Sequence, residues 1–240
     1  IASECGVRPY PFYLGIGFVL LGLLSSWLFV KDTAQHVKKE TTKSQLPMLK
    51  KVFWETTWKH KDLGSISQAG LVNNLNDGMI WGLLPILLAT KNFGLEEVGK
   101  IVALYPIIWG LGQLITGKLA DHLKKKGMLF WGMLLQGGAL LLMIFAHTFF
   151  HFALLSITLG VGTAIVYPTF LAAIADHAHP RQRAEIIGVF RLWRDLGYAI
   201  GALLTGVLAD LLGIYWAIGF IGLLTILSSL VILVRMRSTK

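Results

Sequence analysis

A single cysteine, Cys5, stands among the 240 residues, so an internal disulfide framework is excluded. Charge is scarce as well. Asp, Glu, Lys and Arg make up 15% of the chain, too little to cover the surface of a water-soluble domain. No GxSxG, P-loop or CxxC pattern occurs, which leaves hydrolase, ATP-driven and redox chemistry without a sequence basis. The chain is therefore not expected to be an enzyme, and no cofactor is implied. His177 and His179 lie beside Asp176, but a spacing of two does not place both on one helix face, and HExxH is absent, so no metal site is expected. Also missing is a basic segment ahead of the first apolar run, so no signal peptide is expected. The chain begins at Ile1, and the expectation is that it starts inside a longer protein.

What is abundant is apolar residue: 55% of the chain is hydrophobic. A bilayer core of about 30 Å takes roughly 20 apolar residues in helical form. Seven stretches fit that length: 11–30, 65–90, 98–120, 128–146, 152–175, 186–209 and 214–234. The expected fold is an all-α, polytopic membrane bundle of seven spans, with the lipid bilayer as its solvent. Gly78 with Gly82, and Gly197 with Gly201, have the small-residue spacing that lets helices approach closely in lipid.

The net charge of +9 raises nucleic acid as a partner, but a nucleic-acid binder needs a basic face on a soluble domain. Here the basic residues sit between apolar runs, and no nucleic acid is expected. Sixteen Lys and Arg fall in segments 31–62, 121–127, 176–185 and the tail after 234, against Arg8, Lys91 and Lys100 on the alternate side. The positive-inside rule then puts the C-terminus and the long 31–64 segment in the cytoplasm of a plasma or inner membrane. Within that segment Leu49, Val52, Phe53, Trp54 and Trp58 interleave with Lys50, Lys51, Lys59 and Lys61. This reads as an amphipathic helix on the anionic inner surface; a solvated linker is the alternative.

An internal repeat is present. Gly112–Leu123 (GQLITGKLADHL) and Gly201–Leu212 (GALLTGVLADLL) agree at eight of twelve positions. The first copy ends the third span and the second ends the sixth, so the copies are expected to run oppositely through the bilayer. That is a 3+3 inverted repeat, an architecture of secondary transporters.

The second span carries Asn73, Asn76, Asp77, Trp81 and Pro85. A carboxylate at the bilayer centre costs at least about 2.5 kcal/mol, so Asp77 is expected to face a cavity or a partner. A carboxyl kept from water favours its neutral form, which makes Asp77 the proton-coupling candidate. Asn73, Asn76, Asp77, Ile80, Trp81 and Leu84 are expected on one helical stripe. A helix break, with Asn and Asp satisfying backbone groups freed near Pro85, is the alternative. Tyr105, Trp109 and Gln113, with Gln136, Tyr167, Arg194 and Asp195, are the other substrate-cavity candidates. Arg191 and Asp195 stand at i, i+4 and are expected to pair, with Arg194 between them.

Gly117-Lys-Leu-Ala-Asp121-His122-Leu-Lys124-Lys125-Lys126 resembles the loop signature of the major facilitator superfamily, matching it at Gly117, Leu119, Ala120, Asp121, Lys125 and Lys126. His122 stands for the usual Arg and Lys124 for the usual second Gly. The resemblance implies that residues 1–30 are the last helix of an N-terminal half, 31–64 the interdomain linker, and 65–240 a C-terminal six-helix domain. It also implies a small-molecule substrate and a missing N-terminal half as partner. Asp121 would act as a gate at a helix N-terminus of that half, with Gly117, Lys125, Lys126 and Arg191 in the same gating cluster. Arg194 and Arg191 would point to the equivalent loop of the absent half, and Tyr167 would line the cavity. The implied function is proton-coupled secondary active transport of a small organic solute by alternating access. A self-contained seven-span receptor or channel is the alternative; a retinal protein is excluded, because the last span holds no lysine.

Overall fold

The structure is a computed structural model that describes residues 10–30 and 34–237. The chain divides into two compact units at Ser44. The first contains α1 (Tyr10–Phe29) and α2 (Ala34–Lys43). α1 carries no charged residue and is long and apolar enough to cross a membrane.

The second unit begins with a short turn, α3 (Val52–Trp54), which runs into a π-helical turn, Glu55–Lys59. Six long helices follow: α4 (Lys61–Thr90), α5 (Leu95–His122), α6 (Lys125–Met143), α7 (Phe149–His177), α8 (Arg183–Leu212) and α9 (Ile214–Arg235). Among the described residues there is no strand. Local chemistry sets the ends. His60 Nδ1 accepts from Leu63 N at the start of α4 (3.3 Å), Thr148 Oγ1 accepts from His151 N at the start of α7 (3.3 Å), and Glu97 Oε2 accepts from Gly94 N before α5 (3.0 Å). α8 and α9 are separated by Gly213 alone, whose φ of 91° is a conformation a side chain would strain.

Among the described residues six helices are long and apolar enough to span a membrane: α1 and α5 to α9. α4 is the longest of the polar ones. Its 30 residues reach about 45 Å at 1.5 Å each, but Asn73, Asn74, Asn76 and Asp77 dilute its apolar character, and all four are buried inside the unit.

Helix directions follow from the close approaches. Leu71 lies against Gly197 and Leu75 against Gly201, so α4 and α8 run parallel; Tyr105 against Gly160 and Gly112 against Ala164 make α5 and α7 parallel. α9 runs against α4, pairing Ser228 with Gln68 and Thr225 with Asn76. α6 runs against α7 (Gly132 by Val166, Gln136 by Gly162) and against α9 (Gly137 by Ile226, Ile144 by Gly219). It follows that α5 and α8, which carry the two copies of the repeated dodecamer, point in opposite directions. In both copies the shared threonine bonds back to the shared glycine: Thr116 Oγ1 to Gly112 O at 3.1 Å, Thr205 Oγ1 to Gly201 O at 2.6 Å.

The glycine expectation needs one correction. A Cβ on Gly197 would stand 2.2 Å from Leu71 O, and one on Gly201 2.6 Å from Leu75 O, so both close the α4–α8 crossing. Gly78 meets Tyr198 O in the same seam, but Gly82 faces open space and has no packing role.

At one end of the unit the basic loops meet. Leu49 N donates to Gln182 Oε1 (2.8 Å) and Gln182 Nε2 returns a bond to Leu49 O (2.9 Å). Lys125 pairs with Asp176 at 3.0 Å, and Arg237 N donates to Asp62 Oδ1 at 2.7 Å.

Candidate functional site

α4 presents two different polar faces. Asn76 Nδ2 donates to Gln136 Oε1 (3.0 Å), Gln136 Nε2 donates to Asn73 Oδ1 (3.0 Å), and Thr225 Oγ1 donates to Asn76 Oδ1 (2.7 Å). These groups are buried, and the network ties α4 to α6 and α9. Satisfied amides in an interior fix register and rigidify a bundle. The expected single stripe therefore splits. Asn73 and Asn76 turn towards α6 and α9, while Asp77 and Trp81, about 100° further round the helix, turn towards α5.

On that second face Tyr105 Oη donates to Asp77 Oδ1. Asp77 is 2% exposed and Tyr105 1%. Thr163 Oγ1 of α7 lies 3.4 Å from the same phenol oxygen. From Tyr105 a chain of rings runs across α4, α5 and α7. Trp81 is 6.2 Å from Tyr105, Trp109 stacks on Tyr105 with an interplanar angle of 19°, and Trp109 meets Tyr167 edge-on at 5.5 Å. Trp81 is 43% exposed, so the row opens at that end. The indole N–H of Trp109 is buried and has no acceptor.

The far end of the row is charged. Arg194 Nη1 donates to Tyr167 Oη at 2.9 Å, while its Nε and Nη2 both donate to Asp195 Oδ1, at 2.8 and 2.7 Å. This corrects the expected Arg191–Asp195 pair. Tyr167 holds one arm of the Arg194 guanidinium and leaves the other two nitrogens to clamp the neighbouring carboxylate, and Arg191 lies exposed on the preceding turn.

The remaining candidates are spread along α5 and its turn. Gln113 is half-buried one turn beyond Trp109, a Cβ on Gly117 would meet nothing within 4 Å, and Asp121 is exposed at the end of the helix. The turn to α6 is made by Leu123 and Lys124, and Lys124 sits at φ −65°, so the absent glycine costs the backbone nothing. Lys125 is engaged with Asp176, and Lys126 is half-buried beside it. Towards the same end His177 Nδ1 bonds Ala173 O (2.9 Å), and His179 Nδ1 accepts from Arg181 N (3.3 Å). The two imidazoles act as helix-end groups.

Three participants were not singled out by the sequence. Tyr198, whose hydroxyl meets the Trp81 side chain, is four residues beyond Arg194 and so on the same face of α8, a position that helical periodicity alone would have supplied. Thr163 and Thr225 are lone hydroxyls in strongly apolar helices. Both bond to their own i−4 carbonyls, the usual resting place for such groups, and nothing in the sequence separates them from idle threonines.

A family model for the Major Facilitator Superfamily matches residues 66–240, which takes in every helix that builds this face. The chain belongs to the Major Facilitator Superfamily. An uncharacterised MFS-type transporter of Methanocaldococcus jannaschii is 29% identical over 157 residues, covering 65% of this chain and 41% of that protein. The quinolone resistance protein NorA of Staphylococcus aureus is 26% identical over 164 residues, covering 66% of this chain and 42% of its own length. Among solved structures, a bacterial homologue of the human lysosomal transporter Spinster, inward-facing and unoccupied, superposes with a TM-score of 0.65 at 14% identity, over 80% of this chain and 44% of that one. The chain thus spans about two-fifths of the length of these two curated relatives. It is a multi-pass membrane protein of this superfamily and not an enzyme.

Proposed function

We propose that this superfamily chain is the C-terminal six-helix half, with one preceding helix and the linker, of a secondary active transporter that works by alternating access on a small organic solute. The observation that carries the reading is the buried Asp77 held by Tyr105 at the base of an aromatic row that ends in Arg194. A carboxyl in that setting is costly as an isolated charge, so its charge state can follow the conformational cycle. Asp77 is the proton carrier, and Trp81, Trp109 and Tyr167 offer flat surfaces to the solute. Asp195, Arg194 and Gln113 border the same face.

Several features support the accompanying proposals. The parallel pairing of α4 with α8 and of α7 with α5 supports a 3+3 inverted repeat relating α4–α6 to α7–α9. α4, the second stretch expected to span, then completes a set of seven with α1 and α5 to α9, polar because it carries the site. The gathering of the basic loops at one end supports a cytoplasmic location for that end. Asp121 and Arg191, both exposed there or near it, are free to meet the N-terminal half as gating residues. The names of the relatives favour a carrier over a receptor.

The test uses the full-length protein. A thermal-shift screen against metabolites and drugs supplies a ligand, and proteoliposomes with an imposed pH gradient supply the assay. Wild type is expected to accumulate the ligand, while Asp77→Asn loses gradient-driven accumulation and keeps ligand exchange. Gradient-driven transport by Asp77→Asn at the wild-type rate removes Asp77 from the coupling role.

A further inference from the structure

The stretch Leu49–Lys61 is outside the site described above, and it is held to the bundle at three points. Leu49 exchanges two hydrogen bonds with Gln182. Thr57 Oγ1 accepts from Trp193 Nε1 at 2.9 Å. Trp58 O accepts from Arg235 Nη2. Val52 and Thr56 are buried beneath it, and Ser67 Oγ donates to Thr56 O at 3.0 Å. Its inner face thus packs on the bundle.

The outer face is different. Trp54 is 59% exposed and Trp58 69%, with Phe53 beside them. Lys50, Lys51, Lys59 and Lys61 are all exposed on the same short stretch, and the Arg235 guanidinium lies 5.5 Å from the Trp58 ring centre. The acid of the stretch, Glu55, is half-buried and accepts from the amides of Lys50 and Lys51, both at 3.1 Å. A surface of one charge sign with exposed indoles, fixed at the start of α4 and the end of α9, lies where a spanning helix leaves the hydrocarbon. Indoles prefer that interface, and lysines there gain from anionic headgroups.

We propose that the outer face of residues 49–61 is a preformed docking surface for anionic phospholipid, in which Trp54 and Trp58 enter the headgroup layer while Lys50, Lys51 and Lys59 hold the phosphates. Docking ties the mouth of the bundle to the bilayer surface on that side. The proposal stands independently of which solute is moved.

The experiment places the full-length protein in nanodiscs of phosphatidylcholine, with and without phosphatidylglycerol. Brominated phospholipids report indole depth by quenching, and native mass spectrometry counts retained lipid. Wild type is expected to retain phosphatidylglycerol selectively, and its quenching is expected to fall on Trp54→Phe/Trp58→Phe substitution. Each lysine replaced by glutamine is expected to weaken phosphatidylglycerol retention about fivefold, with an unchanged thermal midpoint in detergent showing that the fold is intact. Equal retention of both lipids by wild type overturns the proposal. So does an unaltered preference in the Lys50→Gln/Lys51→Gln/Lys59→Gln variant, or quenching that the double Trp variant leaves unchanged, as when another protein surface covers the stretch.

Discussion

Tyr105 on α5 donates its hydroxyl to Asp77 on α4, and the two side chains bury one another between helices that otherwise share few contacts. Removing the donor isolates the carboxyl. Tyr105→Phe is expected to lower stability by about 1–3 kcal/mol, the cost of a buried polar group left unpaired, read as a lower thermal midpoint in detergent. In the Asp77→Asn background the same substitution is expected to cost less, since the two groups form one unit. Equal effects in both backgrounds would show that the pair is not coupled.

The α4–α8 crossing depends on missing side chains. Gly197→Ala drives a methyl towards Leu71 O, 2.2 Å from the ideal Cβ position, and overpacking of this kind costs about 1–3 kcal/mol. Gly82→Ala meets nothing within 4 Å and gains helix propensity. Thermal unfolding is expected to rank Gly197→Ala well below wild type and Gly82→Ala level with it or above.

Gln136 bonds Asn73 with its amide nitrogen and Asn76 with its amide oxygen. Gln136→Leu leaves an acceptor on one and a donor on the other unpaired, each at about 1–3 kcal/mol. The expected result is a loss of several kcal/mol, with Gln136→Glu intermediate because one of the two bonds survives. A fully stable Gln136→Leu variant would mean that the amides find other partners.

Stability should also depend on pH through His60. Burial holds its pKa below the usual 6.5, and His177 and Arg237 add to the effect, while Asp62 and Glu55 oppose it. A depressed folded-state value means that the unfolded chain binds the proton more readily, so stability rises with pH across that window. The contribution is present above about 6.5 and is lost as pH falls through the lower folded value. The geometry agrees, because His60 Nδ1 accepts from Leu63 N and a protonated nitrogen cannot. The thermal midpoint is expected to fall from pH 7 to pH 5, and His60→Gln to reduce that fall. An identical slope in the variant would contradict the assignment.

The spans of α5 to α9 were legible because each is a long apolar run; their ends moved by a few residues, with side-chain caps at the starts of α5 and α7. α4 starts at Lys61 rather than Ser65 because a histidine, not one of the favoured capping residues, closes its first turn. The key polar residues of α4 were legible by type, but not by direction. Asn76 and Asp77 are adjacent, and only the positions of Gln136 and Tyr105 on other helices decide that one is a tie and the other part of the site. Asp195 shows the same limit. Its i, i+4 neighbour was visible in the chain, while the phenol of Tyr167 that reorients Arg194 comes from a helix away.

The antiparallel relation of α5 and α8 within one membrane-embedded bundle underlies the whole account. Single cysteines at Asp121 and Asp210, introduced into a Cys5→Ser form of the full-length protein, can be labelled from either side with a membrane-impermeant maleimide. Position 121 is expected to react from the cytoplasmic side and position 210 from the opposite one. Reaction of both from the same side would contradict it.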